Sequence, residues 1–257
     1  MVLIKIEIER VFGIEELESR LRNVRLKGFP DVRIYKDSKI WIKTIAPQEV
    51  INTLFIPQPR VYRSFLDRIW KMADFFSEKG IDIYSLNGGI DYTAFDEKGQ
   101  ATNWTLIPPV VELVPIKFDG SGLDYSDFIC PGLKKIMEEK GHTLNPELKQ
   151  LNFPEFERFS GVCEIPEICD GSHRIHSAYE KGREQNLLMI DKTEQGYPYY
   201  AAPKPYSLVH VELERVDGSK SDKTHVLTEP GHKLLYRLFP SGGIHSGDVR
   251  PDNKPSH

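Results

Sequence analysis

At 257 residues the chain is long enough to bury a sizeable core, as one large domain or two small ones. Its 39% hydrophobic and 28% charged content excludes a disordered polypeptide, and a net charge of −4 gives it no general attraction to nucleic acid. The three cysteines, Cys130, Cys163 and Cys169, form an odd set that reads as free thiols. No apolar run approaches membrane-spanning length, so a cytoplasmic protein without a membrane partner is expected.

Along the first part of the chain, residues 1–12 alternate Ile4, Ile6 and Ile8 with Lys5, Glu7 and Glu9, which predicts a strand and not a signal-peptide core. Ile14, Leu17 and Leu21 recur at helical spacing. Val32 to Ile42 carries a hairpin pattern around Lys36-Asp37-Ser38, and Pro47 opens a short helix to Leu54. Val61 to Lys79 is the strongest helix here, with Phe65, Ile69, Met72 and Phe76 as its apolar stripe and Gly80 as its stop. A second hairpin is expected between Ile81–Leu86 and Ile90–Phe95, turned at Asn87-Gly88-Gly89. The turn Asp96–Gly99 leads to a strand at Ala101–Ile107, and Pro108-Pro109 reads as a seam between two regions.

After that seam, Val110 to Phe118 is an apolar strand, Asp119 to Asp124 a glycine-rich loop, and Leu133 to Lys140 a helix stopped by Gly141. Residues 142–160 are broken by prolines. The stretch from Ile165 to Lys192 then reads as strand, acidic-glycine turn, helix from Ser172 to Lys181, and the apolar run Leu187–Ile190. Gln195 to Ser207, dense in Tyr and Pro, is expected to be a surface connector more than a lid. Val209 to Val216 alternates as a strand with a turn at Asp217-Gly218, Pro230 to Phe239 is a helical turn, and residues 246–257 read as a frayed tail.

The densest chemistry lies at Asp170-Gly171-Ser172-His173-Arg174. A glycine turn feeding a helix gathers unpaired N–H groups and the positive end of a helix dipole, a ready site for phosphate or carboxylate. Arg174 can add a guanidinium to such an anion, His173 a donor or an acid–base group, and Asp170 a metal ligand or proton acceptor. Ordinary turn and capping chemistry, through Ser172 or Asp170, remains an equal alternative on the residues alone.

Three other patterns are weaker. Cys163, Cys169, His173 and His176 are zinc-type residues, but they lack the short cysteine knuckle of structural zinc sites. Asp119-Gly120-Ser121-Gly122 lacks the Lys-Ser/Thr of a P-loop. Near the C-terminus, Arg237 with residues 240–243, together with Lys223 and Arg250, offers positive charge, with solvated surface roles as the default.

The D-G-x-H-R turn, with Ala178 further along the helix and Gly182 ending it, resembles the signature of the ParB/sulfiredoxin-like superfamily, where this strand–turn–helix binds nucleotide phosphates. The resemblance covers Ile165 to Lys192 and extends more loosely over Pro108 to Ile190. It implies an α+β fold: a ParB/sulfiredoxin-like core over 108–245, an N-terminal α+β appendage of unknown role over 1–107, and a flexible tail over 246–257. By likeness to the superfamily's free-serine kinases, it implies an NTP-dependent phosphotransferase or NTPase acting on a small molecule, with ATP or another NTP and Mg²⁺. Gly171, Ser172, His173 and Arg174 would bind phosphate. Asp170, His173 and Glu112 would be catalytic, Asp170 would also meet the metal, and Glu112 is otherwise read as a surface strand residue.

One departure matters. Sulfiredoxins place a catalytic cysteine immediately before the His-Arg pair, where this chain has Ser172, which argues against thiol-based sulfinic-acid reduction. An alternative within the resemblance is a ParB-like DNA-associated protein with a nucleotide switch or nuclease role. That reading calls for a helix-turn-helix module after the core, where this chain reads as strands and proline loops. A non-catalytic binding module is the third reading.

Overall fold

Apolar residues buried on two faces define the central sheet. In the run Leu187–Ile190, Leu188 and Ile190 enter one hydrophobic cluster while Leu187 and Met189 enter another. A strand covered on both sides has no polar face, so it reads as an unbroken apolar run. The computed structural model describes residues 3–96, 98–118, 137–146, 161–191, 199–214 and 225–239. Their mix of helices and largely antiparallel sheet is α+β.

The strands of the first half are β1 (Leu3–Gly13), β2 (Arg25–Leu26), β3 (Phe29–Arg33), β4 (Lys39–Ile45), β5 (Phe55–Ile56), β6 (Arg60–Tyr62), β7 (Gly88–Asp96) and β8 (Ala101–Leu106). Those of the second half are β9 (Val110–Phe118), β10 (Gly161–Asp170), β11 (Gln185–Asp191), β12 (Lys204–Pro205) and β13 (His210–Glu212). The helices are α1 (Ile14–Leu21), α2 (Pro47–Thr53), α3 (Arg63–Glu78) and α4 (Ser172–Glu180). Short 3-10 turns follow at Tyr206–Leu208 and Gly231–Leu235.

A six-stranded sheet has the order β12-β5-β10-β9-β11-β4, and a three-stranded sheet has the order β1-β7-β8. β4 and β5 come from the first 107 residues yet lie in one sheet with β9, β10 and β11. The backbone ladder therefore runs across the seam expected at Pro108-Pro109. The prolines sit between β8 and β9, where the chain passes from the smaller sheet to the larger one.

One face of the six-stranded sheet carries Val110, Val114, Ile165, Leu188 and Ile190, packed with α1 and with Val226, Leu227 and Leu235. The other face carries Val111, Ile168, Leu187 and Met189, packed with Ile175 of α4 and Val50 of α2. α3 presents Ile69, Met72 and Phe76 to the three-stranded sheet, and Ala178 of α4 joins that cluster. Gly80, at φ 75°, ends α3 and lets the Ile81 amide donate to the Phe76 carbonyl at 2.9 Å.

Several expected pairings give way to longer-range ones. The Val32–Ile42 hairpin does not form: the turn is present, but β3 pairs with β2 and β4 pairs with β11. Residues 81–86 are turn and loop, not a strand. Gly88 and Gly89 instead bring β7 against β1, where a Cβ at Gly88 would sit 2.0 Å from the Phe12 carbonyl and one at Gly89 2.3 Å from the Phe12 ring. Leu66 takes the buried place on α3 that was expected of Phe65.

The Tyr- and Pro-rich stretch is not a surface connector where it is described. Tyr199, Ala201, Ala202 and Tyr206 are all buried, and β12 pairs with β5. Among the described residues no helix is long and apolar enough to cross a membrane. The expected loop at 119–124, the first part of the 133–140 helix, residues 147–160, the turn at 217–218, Lys223, Arg250 and the tail lie outside the described residues.

Candidate functional site

β10 ends at Asp170, and the chain turns into α4 through Gly171 at φ 84°, ψ 21°. This left-handed conformation favours glycine, and space demands it too: a Cβ would lie 2.7 Å from Pro109 and 2.9 Å from Nη2 of Arg174. Gly171 is the N-cap, and the helix has no side-chain cap. The first turn of α4 thus carries its dipole and amides without the oxygen that Ser, Asp or Asn would bring at that position.

Arg174 points inward. It is 4% exposed, donates to the Ile107 carbonyl and reaches Oδ2 of Asp170 at 3.1 Å. Burial lowers its pKa and Asp170 opposes that shift. The guanidinium therefore lies beneath the turn, tying β10 and α4 to the end of β8. His173 is half-buried and stands beside two rings, with centroids 5.8 Å from Tyr62 and 5.0 Å from Phe65. Ser172 is also half-buried, its hydroxyl 3.5 Å from Nδ1 of His173. The turn thus gathers Asp170, Gly171, Ser172, His173 and Arg174 with Tyr62, Phe65 and Pro109.

Glu112 goes elsewhere. Strand alternation places it with Val110 and Val114, on the sheet face opposite α4. It is fully buried rather than on the surface: Arg237 donates to it from Nε at 2.8 Å and Nη2 at 3.0 Å, and Tyr35 also donates to it. Arg237, expected as a solvated cation, is buried as well. Burial works against its charge, but Glu112 and Tyr35 leave its pKa raised. Burial and the Glu112 charge push the Tyr35 phenol well above its ordinary range.

Glu167, directly across from Glu112 on β10 and 1% exposed, brings a second carboxylate to that face. Tyr199 lies beneath the Arg237 guanidinium at 4.9 Å and donates its hydroxyl to the Cys169 carbonyl at 2.7 Å. Sequence reasoning missed Glu167 and Tyr199. A lone strand Glu carries no local mark of burial, and the Tyr stretch read as irregular.

The zinc-type residues near the turn are held apart. Cys169 packs with the cluster behind the sheet, and His176 shares a hydrogen bond of 3.1 Å with the Tyr206 hydroxyl and stands 3.5 Å from Glu180. Burial lowers the His176 pKa against the pull of Glu180.

An α+β protein with a glycine turn at a helix N-terminus is the class that fold and site define. The ParB CE domain model matches residues 16–148, just over half of the chain, and the protein belongs to that family. The matched span takes in most of the region read as an appendage and ends before the α4 turn. No curated protein and no solved structure gives a significant match.

Proposed function

We propose that this ParB-like protein binds the phosphates of a nucleoside triphosphate, accompanied by Mg²⁺, at the N-terminus of α4, and uses it for phosphoryl transfer or hydrolysis. The observation that carries the reading is Gly171: a left-handed N-cap without a side-chain cap, at the start of a helix whose dipole favours an anion. The amides of the first turn and the Ser172 hydroxyl would meet phosphate oxygens. Arg174, engaged with Ile107 and Asp170, would act as positive charge below the turn and not as a direct clamp. His173, steadied by Tyr62 and Phe65, would donate to a phosphate. Asp170 would orient the metal or the attacking hydroxyl, since the protein's part in phosphoryl transfer is chiefly positioning and charge neutralisation. Glu112, behind the sheet, would take a structural role.

The test is a thermal-shift and calorimetric panel of ATP, GTP, CTP and UTP, with and without Mg²⁺, on the wild-type chain and Ser172→Glu. An acidic residue in a first helical turn favours the helix dipole but repels a phosphate, so this variant keeps its fold while losing the ligand. Stabilisation of about 2.7 kcal/mol by an NTP at a hundred times its Kd is expected. Absence of binding by all four nucleotides overturns the reading. Binding without phosphate release would keep the nucleotide site and remove the enzyme.

A further inference from the structure

A second constellation lies on the other side of the six-stranded sheet. His225 is anchored by a backbone bridge to Ala201, and Leu227 by one to Leu144. The chain then turns through Glu229 into the 3-10 turn Gly231–Leu235, which sets His232 against His225: ring centroids 3.7 Å apart, planes within 2°. Tyr200 stands 6.1 Å from His225 and Tyr236 5.8 Å from His232. Gly231 is packed under the His142 ring, where a Cβ would fall 2.7 Å from Cγ, so the turn is pressed onto the 142–145 segment. Thr228 donates to the Thr143 carbonyl, and Asn145 donates to the Val226 carbonyl, each at 3.1 Å. Two chain segments therefore hold the histidine pair from both sides.

One ligating atom from each of His225, Glu229 and His232 lies within 4.8 Å of the others, and Oε1 of Glu229 is 3.9 Å from Nε2 of His232. Among the described residues this is the one group of three metal-type side chains so placed. We infer that His225, Glu229 and His232 bind a single divalent transition-metal ion of the zinc class, with a coordination position left open.

Imidazole nitrogen and carboxylate oxygen suit such an ion, and three protein ligands are the number that leaves an open position. Two imidazoles stacked this closely cannot both be cationic without strong repulsion, and neutral imidazole is the ligating form. Bonds of about 2.0–2.1 Å in a tetrahedron need ligand atoms roughly 3.3 Å apart. Metal entry therefore draws the three groups together and turns one ring out of the stack. His232 is 2% exposed, whereas Glu229 is 71% exposed and His225 half-buried, so closure on an ion would come chiefly from the Glu229 side chain.

The experiment uses the full chain, stripped with a chelator, titrated with Zn²⁺ by calorimetry and with Co²⁺ by visible absorption, beside His225→Ala, Glu229→Gln and His232→Ala. The expected result is one ion per chain, with Co²⁺ giving the strong absorption of a low-symmetry tetrahedral site. Either histidine change should abolish that absorption, and Glu229→Gln, at an exposed position that leaves the fold intact, should weaken binding by roughly tenfold or more. No binding by the wild-type chain, or binding that Glu229→Gln and His225→Ala both leave unchanged, would overturn the site. Circular dichroism of each variant separates a lost ligand from a lost fold. The nucleotide panel on Ser172→Glu reads a different face, so the two proposals fail separately.

Discussion

Arg237 and Glu112, 125 positions apart in the chain, form a two-pronged ion pair at 2.8 and 3.0 Å with both side chains at most 1% exposed. The pair fastens the C-terminal segment to β9 in the middle of the six-stranded sheet. Taking two charges out of water is costly, so the pair contributes less net stability than its geometry implies, but removing one partner strands the other.

Arg237→Met should therefore destabilise the chain by about 3–5 kcal/mol in urea unfolding, because Glu112 is left charged and buried. The double variant Glu112→Leu with Arg237→Met should recover most of that loss. It should still fall short of wild type by about 1 kcal/mol, since the Tyr35 hydroxyl loses its acceptor. If the double variant is no more stable than the single one, the pair is not what holds the segment.

At the two ends of α4, conformation and space can be separated by two substitutions. Gly182→Ala meets only the left-handed backbone, at φ 63° with nothing within 4 Å of a new Cβ, and should cost about 1 kcal/mol. Gly171→Ala adds collisions with Pro109 and Arg174 to the same backbone penalty and should cost about 2–4 kcal/mol. Equal losses in parallel denaturation curves would mean that the turn has room to relax.

Much of the local structure was legible because its signals are local. The apolar run Leu187–Ile190 marked a buried segment, which the fold makes β11; the stripe of α3 gave a helix with Gly80 at its end, and Asp170-Gly171 gave the turn into α4. Pairing was less legible. A turn at Lys36–Ser38 says that the chain reverses, but β4 finds its partner in β11, some 140 residues on, because both strands offer apolar faces to the same core. The glycines at 88 and 89 mark a close pass by Phe12, which is indistinguishable in sequence from a hairpin turn. Glu112 reads as a surface residue until Arg237 and Tyr35 fold onto it. The His225–His232 contact is equally hidden, since only the 3-10 turn brings those rings face to face.

Asp91 should contribute to the acid sensitivity of the three-stranded sheet. Arg20 donates to its carboxylate at 2.7 and 2.9 Å, and Thr105 and Arg10 add further bonds. The hydrogen bonds from Arg20 above all, against the opposing effect of burial, hold its pKa well below the usual carboxylate range. A depressed carboxylate means that the unfolded chain binds the proton first. Stability from this group is complete above roughly pH 4 and is lost as pH falls toward the folded value. Asp91→Asn should be less stable at neutral pH and show a shallower loss of urea midpoint between about pH 4 and pH 2. An acid limb identical to wild type would place the titrating group elsewhere.

His176 works at higher pH and with the opposite charge change. Burial on α4 beside Tyr206 lowers its pKa, although Glu180 at 3.5 Å pulls it up. The unfolded imidazole, near pH 6.5, is therefore protonated before the folded one. Its contribution is intact above about pH 6.5 and declines as pH drops below that value, until the folded imidazole also takes a proton. His176→Gln keeps a hydrogen-bonding side chain for the Tyr206 hydroxyl and cannot titrate. Between about pH 7 and pH 5.5 its urea midpoint should change less than that of wild type. NMR titration of the wild-type imidazole supplies the direct check: a midpoint equal to the free value would abolish the predicted decline, and one above it would show that Glu180 outweighs burial and would reverse the sign.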